Sequence, residues 1–386
     1  MASIGTVAKL IALAVLASLT ARAGAARAVS FSTTASATSG ASHPIIVFAG
    51  GYGNGGLLRV AIAGIGETPS GIQARVAAIP SPTFVVAHST LPLLYVASEL
   101  SGGRKNIRVI RPSGAILATT WSGGVGPVRL ALNAAGDRLA VANYDSSVAL
   151  LPLDPSGVPG LPLAIARTTG SGPDPKRQTS SHPHGVTFSA SGRSLYVADL
   201  GADAVIRYDL GPTRSSLTIA QRLALPPGSG PRQVALDGST AYVANELAAS
   251  ISTISLAADG SMAVVRDTPL PRPGPPGELL IDPTGRWMVV LVRGADLCQV
   301  FEITAIATAT ETATTAGTAL RPAGSAPCGH TPRFALFTAD GARLVVASQG
   351  DGTVRSVVFD PETGALGGAD VVATLPGAAG LAFAPA

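Results

Sequence analysis

The sequence predicts an all-β fold, and three observations predict it. A strand–turn–strand pattern recurs along the chain at periods of 45 to 56 residues, the length of a four-stranded sheet repeated around an axis. Gly 45 and Pro 30 with only 4% aromatics indicate many turns around a core of Val, Leu, Ile and Ala. At each end of the patterned region stands a lone apolar strand lacking the partner that the other end would supply.

In chain order, residues 1–25 read as a secretory signal peptide. Lys9 is followed by an apolar run over 10–19 and by small residues around Ala21-Arg22-Ala23, too short a run for a comfortable membrane span. An uncleaved anchor is the alternative. Residues 26–42, rich in Ser, Thr and Ala, read as a flexible linker. The remainder, 43–386, reads as one domain, exported with no membrane attachment once the leader is cleaved.

The domain opens with PIIVFAGGY, a second strand lacking an inner one. Six full copies follow: SPTFVVAHSTLPLLYVASE, GPVRLALNAAGDRLAVANY, HPHGVTFSASGRSLYVADL, GPRQVALDGSTAYVANE, GPPGELLIDPTGRWMVVLVR and TPRFALFTADGARLVVASQ. They end at Glu99, Tyr144, Leu200, Glu246, Arg293 and Gln349, spaced by 45, 56, 46, 47 and 56 residues. The residues between copies supply two outer strands, and the Gly-Asp, Ser-Gly and Thr-Gly turns are hairpin connections. GAAGLAFAPA at the end is an inner strand lacking its partner. Together the two ends make a last blade, so the fold is a seven-bladed β-propeller closed by N- and C-terminal strands. Six blades with loose ends is the alternative.

The two long periods carry insertions, 170–181 and the Thr/Ala tract 304–318. Both precede an inner strand in sequence, so both are expected on the same face of the disc. Cys298 and Cys328 are candidates for a disulfide, isolated buried thiols being the alternative.

A net charge of +4 without a run of Lys or Arg argues against nucleic acid as partner. No Gly-x-Ser-x-Gly elbow is present, GGYGNGG lacks the Lys-Ser/Thr of a phosphate loop, and no cluster has metal-ligand spacing. Neither metal nor cofactor is expected.

In a ring of such sheets the segment before each inner strand and the residue after each second strand point at one mouth. That slot, with its neighbours, gathers the candidate site. His184 and His182, two apart at the start of an inner strand, are expected to face the channel together and to transfer protons near neutral pH. Glu246, ionised by a neighbouring Arg232 or Arg293, could activate water or, protonated, act as an acid; the competing role is a structural ion pair. Arg232 and Arg293 suit a carboxylate, a phosphate or a developing oxyanion, with Arg333 a third. Glu99 and Tyr144 share the slot as substrate contacts. Asp199 and Asp203 read as structural caps.

His182-x-His184, Asp199-Leu200-Gly201-x-Asp203, Gly230-Pro231-Arg232, Asn245-Glu246, Arg293-Gly294 and Pro332-Arg333-Phe334 together resemble the seven-bladed propeller lactonases, the family of bacterial 6-phosphogluconolactonase and fungal carboxy-muconate cyclase. The resemblance covers roughly residues 44–386. Gln233 stands where the family often has His, and Val292 where it commonly has Asn. The resemblance implies catalytic roles for His184, Arg232, Glu246 and Arg293. It implies a lactonase opening the ring ester of a sugar-acid lactone, 6-phosphogluconolactonase-like, with a small lactone or sugar acid as ligand. Closure or opening of a muconate lactone and non-catalytic ligand binding are the other two readings.

Overall fold

The computed structural model describes residues 44–62, 72–103, 105–310 and 313–385. The expected leader, 1–25, and linker, 26–42, lie outside the described residues. Seven antiparallel sheets of four strands follow one another. Their inner strands are Pro82–Ala87, Pro127–Leu132, Pro183–Phe188, Pro231–Asp237, Pro276–Ile281, Pro332–Phe337 and Ala378–Phe383. Each touches the inner strands of the blades before and after it, and the last returns to the first, so the ring is closed.

The closing blade combines both ends of the chain. Ala378–Phe383 lies beside Ile45–Gly51, pairing Val47 with Phe383 and Gly51 with Ala378, and Leu57–Ile62 and Ile72–Ala77 complete it. Two strands that alone would present unpaired amides satisfy one another. Counting from Pro82, the other blades are the first to the sixth.

Burial explains the sequence pattern within a blade. Second strands are covered on both faces by neighbouring blades, so they read as continuous apolar runs; Trp287–Val292, WMVVLV, is buried throughout. Outermost strands face solvent and admit polar residues, as in Thr218–Ala224. Inner strands lie so close that a side chain does not always fit. A Cβ at Gly185 would stand 2.7 Å from the Arg232 carbonyl oxygen of the next blade.

Two local devices build the mouth. In six blades the turn after the second strand closes on a left-handed residue just before the third strand: Gly56, Ser146, Asp203, Ala249, Asp296 and Gly352. These turns, three to five residues long, place the residue ending each second strand at comparable points on the rim. Inner strands are entered through a left-handed residue before the Pro in several blades, as at Gly126 and Gly230, with φ of 63° and 59°. Glycine takes that conformation without a Cβ penalty.

The two insertions part company. Segment 170–181 joins an outermost strand to the inner strand Pro183–Phe188 and does lie at the mouth. Tract 304–318 instead lengthens the two outer strands of the fifth blade, Leu297–Thr310 and Ala313–Pro327, to 14 and 15 residues. The far end of its described ladder, where Thr310 pairs with Ala313, lies opposite the mouth, which corrects the expectation of one face. Thr and Ala in alternation extend an antiparallel ladder, and no loop signal interrupts them at either strand. Cys298 and Cys328, at the mouth-side base of this hairpin, form a disulfide.

Candidate active site

Every inner strand opens with a bulge. The register skips the residue after the first: Thr83, Val128, His184, Arg232, Arg333 and Ala379, and in the fifth blade Gly277 and Glu278. A bulged residue has no cross-strand partner and its side chain is re-aimed. In six of the seven the strand opens with Pro, which has no N–H to give the ladder and marks where pairing lapses. The bulge therefore turns His184, Arg232 and Arg333 into the axial channel from three blades.

Glu246 is the hub of the site. Arg177 binds its Oε1, Arg232 its Oε2, and Arg293 Nη2 reaches Oε2 at 2.7 Å. Burial would raise its pKa, but Arg232 and Arg293, then His184 and Arg177, hold the carboxyl well below the usual carboxylate range. So stabilised, the carboxylate is a poor proton acceptor and no acid near neutrality; this surrounding suits the ion-pair role weighed for it, with guanidinium positioning as its effect. Arg232 also donates from Nε to the Gly277 carbonyl at 2.8 Å, which leaves its Nη2 without a partner among the described residues. Burial and the neighbouring Arg232 charge push Arg293 down to about 9, and its buried Nε has no hydrogen-bond partner among the described residues.

His184 is 8% exposed. Burial first, then the positive charge of Arg232, holds its pKa well below 6.5, so the imidazole is neutral. Among the described residues no hydrogen bond reaches either ring nitrogen. His182 does not join it. It precedes the strand rather than lying in it, so the two-residue alternation does not apply. Its ring stacks on Tyr144 at 4.1 Å and its Nδ1–H donates to the Tyr144 carbonyl at 2.7 Å. The Tyr144 ring then meets His184 edge-on at 6.2 Å. His182 thus orients Tyr144, and Tyr144 walls the His184 pocket.

Arg333, Tyr52 and Glu99 form a chain on the other side. Arg333 donates to the Tyr52 oxygen at 2.6 Å, and Tyr52 donates to Glu99 at 2.8 Å. Burial pushes the Tyr52 phenol up to about 12, so it stays protonated. Below, Arg129 and Glu278 make a bidentate pair across the channel, 2.6 and 2.9 Å. The Arg129 guanidinium lies over the rings of Phe84 and Phe334. This closes the axis to a void of about 20 Å³, room for a water or so. Outside it, a cleft of about 340 Å³ opens on the rim beside Arg177, Glu246 and Arg293.

Asp199 and Asp203 act as caps. Asp199 accepts from Ser181 and the His182 amide. Asp203 accepts from Gln178, Gly228 and Gly230 at 2.7, 2.7 and 2.8 Å, tying the segment that carries Arg177 to the one that leads to Arg232. Of the expected residues, the structure gathers His184, Arg232, Glu246, Arg293, Arg333, Glu99 and Tyr144 at one mouth and sets His182 behind Tyr144. Sequence reasoning passed over Tyr52, Arg177 and the Arg129–Glu278 pair. Tyr52 ends a second strand, PIIVFAGGY, in the same slot as Glu99 and Tyr144, so the repeat held its signal; Arg177 lies in an unrepeated loop and had none. Among the described residues no three His, Cys, Asp or Glu side chains converge as metal ligands would.

The family model described as "Lactonase, 7-bladed beta-propeller" matches residues 47–381. The chain is 27% identical over 257 residues to the 6-phosphogluconolactonase of Formosa agariphila, covering 63% of this chain and 70% of that one. It is 26% identical over 242 residues to the 6-phosphogluconolactonase of Bacillus subtilis, covering 59% and 68%. Among solved structures, the periplasmic gluconolactonase PpgL of Pseudomonas aeruginosa superposes with a TM-score of 0.76 at 24% identity, covering 88% of this chain and 99% of that one. That likeness is one of fold.

Proposed function

The chain belongs to the seven-bladed β-propeller lactonases, and from that membership we propose that it hydrolyses the ring ester of a small sugar-acid lactone outside the cytoplasm. The observation that carries the reading is His184: a neutral, buried imidazole with both nitrogens free of described partners, beside a guanidinium with a free Nη2. Water attacks the lactone carbonyl and gives its proton to His184. The carbonyl oxygen takes the negative charge, which Arg232 and Arg293 stabilise from positions fixed in advance by Glu246. The ring C–O bond then breaks, the leaving alkoxide takes the proton back from His184, and the hydroxy acid is released. No step requires a metal.

Export is supported by the leader-like 1–25 segment, by the disulfide and by the likeness in fold to the periplasmic gluconolactonase of Pseudomonas aeruginosa.

The test is purified protein offered a panel of aldonic and uronic lactones, with acid release followed at constant pH. Turnover is expected to survive a chelator and to fall about 10²- to 10⁴-fold in His184→Ala, the usual weight of a general base. A panel without turnover, or an unimpaired His184→Ala, would sink the reading.

A further inference from the structure

In the first blade the residue that the bulge turns to the axis is Thr83. It is 5% exposed, and its hydroxyl has no hydrogen-bond partner among the described residues. The bulged residues on either side of it around the ring are Ala379 and Val128, whose side chains offer none. Buried hydroxyls are almost always bonded to protein or to ordered water. Here the demand falls on whatever occupies the axial void, which Thr83 lines.

That void measures about 20 Å³, and a single water needs about 10–15 Å³ with two to four polar partners. Three groups with spare capacity border it: Thr83, Glu99 and His184. The His184 imidazole is neutral, so one ring nitrogen accepts a hydrogen bond. Glu99 accepts the Tyr52 hydroxyl on Oε2, which leaves its Oε1 without a partner among the described residues. The Thr83 hydroxyl can donate. Arg129 and Glu278, which also border the void, are bonded to each other.

We infer that this void seats the water that opens the lactone, and that Thr83 is the residue holding it for attack. The inference rests on the hydrolase reading and adds where the nucleophile waits. The water gives one hydrogen bond to His184 and one to Glu99 Oε1, and accepts one from Thr83. A single lone pair is then left for the lactone carbonyl carbon. As the new C–O bond forms, the proton facing His184 passes to the imidazole, and the other stays on the new carboxyl group. The ring C–O bond breaks, and its oxygen takes the proton from His184. The substrate thus arrives from the mouth and the nucleophile from beneath it, out of a seat too small for the lactone itself.

A crystal structure of the wild-type protein tests the seat. One ordered water is expected within hydrogen-bond distance of Thr83 Oγ1 and a His184 ring nitrogen; a well-ordered site without it overturns the inference. Kinetics on an aldonic lactone test the role. Thr83→Val keeps the shape and removes the donor, so kcat should fall about 10- to 100-fold, the weight of a misplaced reacting atom, with KM unmoved. Thr83→Ser should restore most of the loss. An unchanged kcat in Thr83→Val, or a loss confined to KM, ends the nucleophile assignment. Thermal melting adds a readout independent of turnover. Replacing a hydroxyl that bonds nothing by a methyl group should stabilise the fold, so a higher melting temperature in Thr83→Val would show that Thr83 holds no water. If the wild-type protein opens no lactone, the hydrolase reading fails and the nucleophile with it, while density and melting still decide whether the void is a water seat.

Discussion

His184 owes its neutrality to two neighbours it does not touch covalently: the walls that bury it and the charge of Arg232. Both disfavour the imidazolium, so the acidic limb of the kcat/KM profile should fall well below pH 6.5, with the rate flat through that value. Removing a positive neighbour works the other way. Arg232→Gln should raise the His184 pKa toward 6.5, measurable as a shift of its ring resonances in an NMR pH titration. Glu246 illustrates the opposite sign. Its folded pKa lies below the unfolded 4.5, so its stabilisation is complete above pH 4.5 and is withdrawn as pH falls below it. Glu246→Gln should cost about 3–5 kcal/mol in denaturant titration at pH 7, the usual penalty for stripping a buried ion pair of one partner. A loss under 1 kcal/mol would mean the guanidinium groups hold themselves in place. At this scale the sequence revealed residue types and rim positions but not orientation. His182 and His184 look equivalent under simple alternation along a strand; the bulge after Pro183 and the entry of His182 before the strand separate them.

Among the elements, the inserted segment 170–181 and the fifth-blade hairpin show what repeat spacing can and cannot locate. Spacing marks which period is long, but not between which two strands the extra residues fall. For 170–181 the Gly, Pro and Asp content marked a loop before the inner strand. For 304–318 the Thr and Ala content was equally compatible with strand, and strand is what forms, by continuing a ladder already begun. The disulfide braces the base of that hairpin and encloses a loop with a sequence separation of 30. Chain-entropy arguments give such a closure about 2–4 kcal/mol. The double variant Cys298→Ala/Cys328→Ala should therefore melt earlier in calorimetry, and the wild type should lose the same amount under reductant. An unchanged transition in both would show the hairpin is held by its ladder alone.

For the molecule as a whole, the ring closes because chain termini share one sheet, and this was legible: a second strand without an inner one at the start, an inner strand without a second at the end. Deleting 375–386 would strip Ile45–Gly51 of its partner along Val47 to Gly51 and expose an apolar edge. Light scattering should then report association, and monomeric behaviour in that variant would contradict closure by strand exchange. The obstruction laid across the axis by Arg129, Glu278 and the two phenylalanine rings has a consequence for traffic. With a void of only about 20 Å³ at that depth, a ring-sized molecule finds no passage along the axis there. On the hydrolase reading proposed above, what arrives as a ring departs as an acid through the same opening, past the guanidinium groups that bound it, carrying one more negative charge than it brought. Departure, rather than bond cleavage, is then the step where salt, which weakens that grip, hastens the cycle.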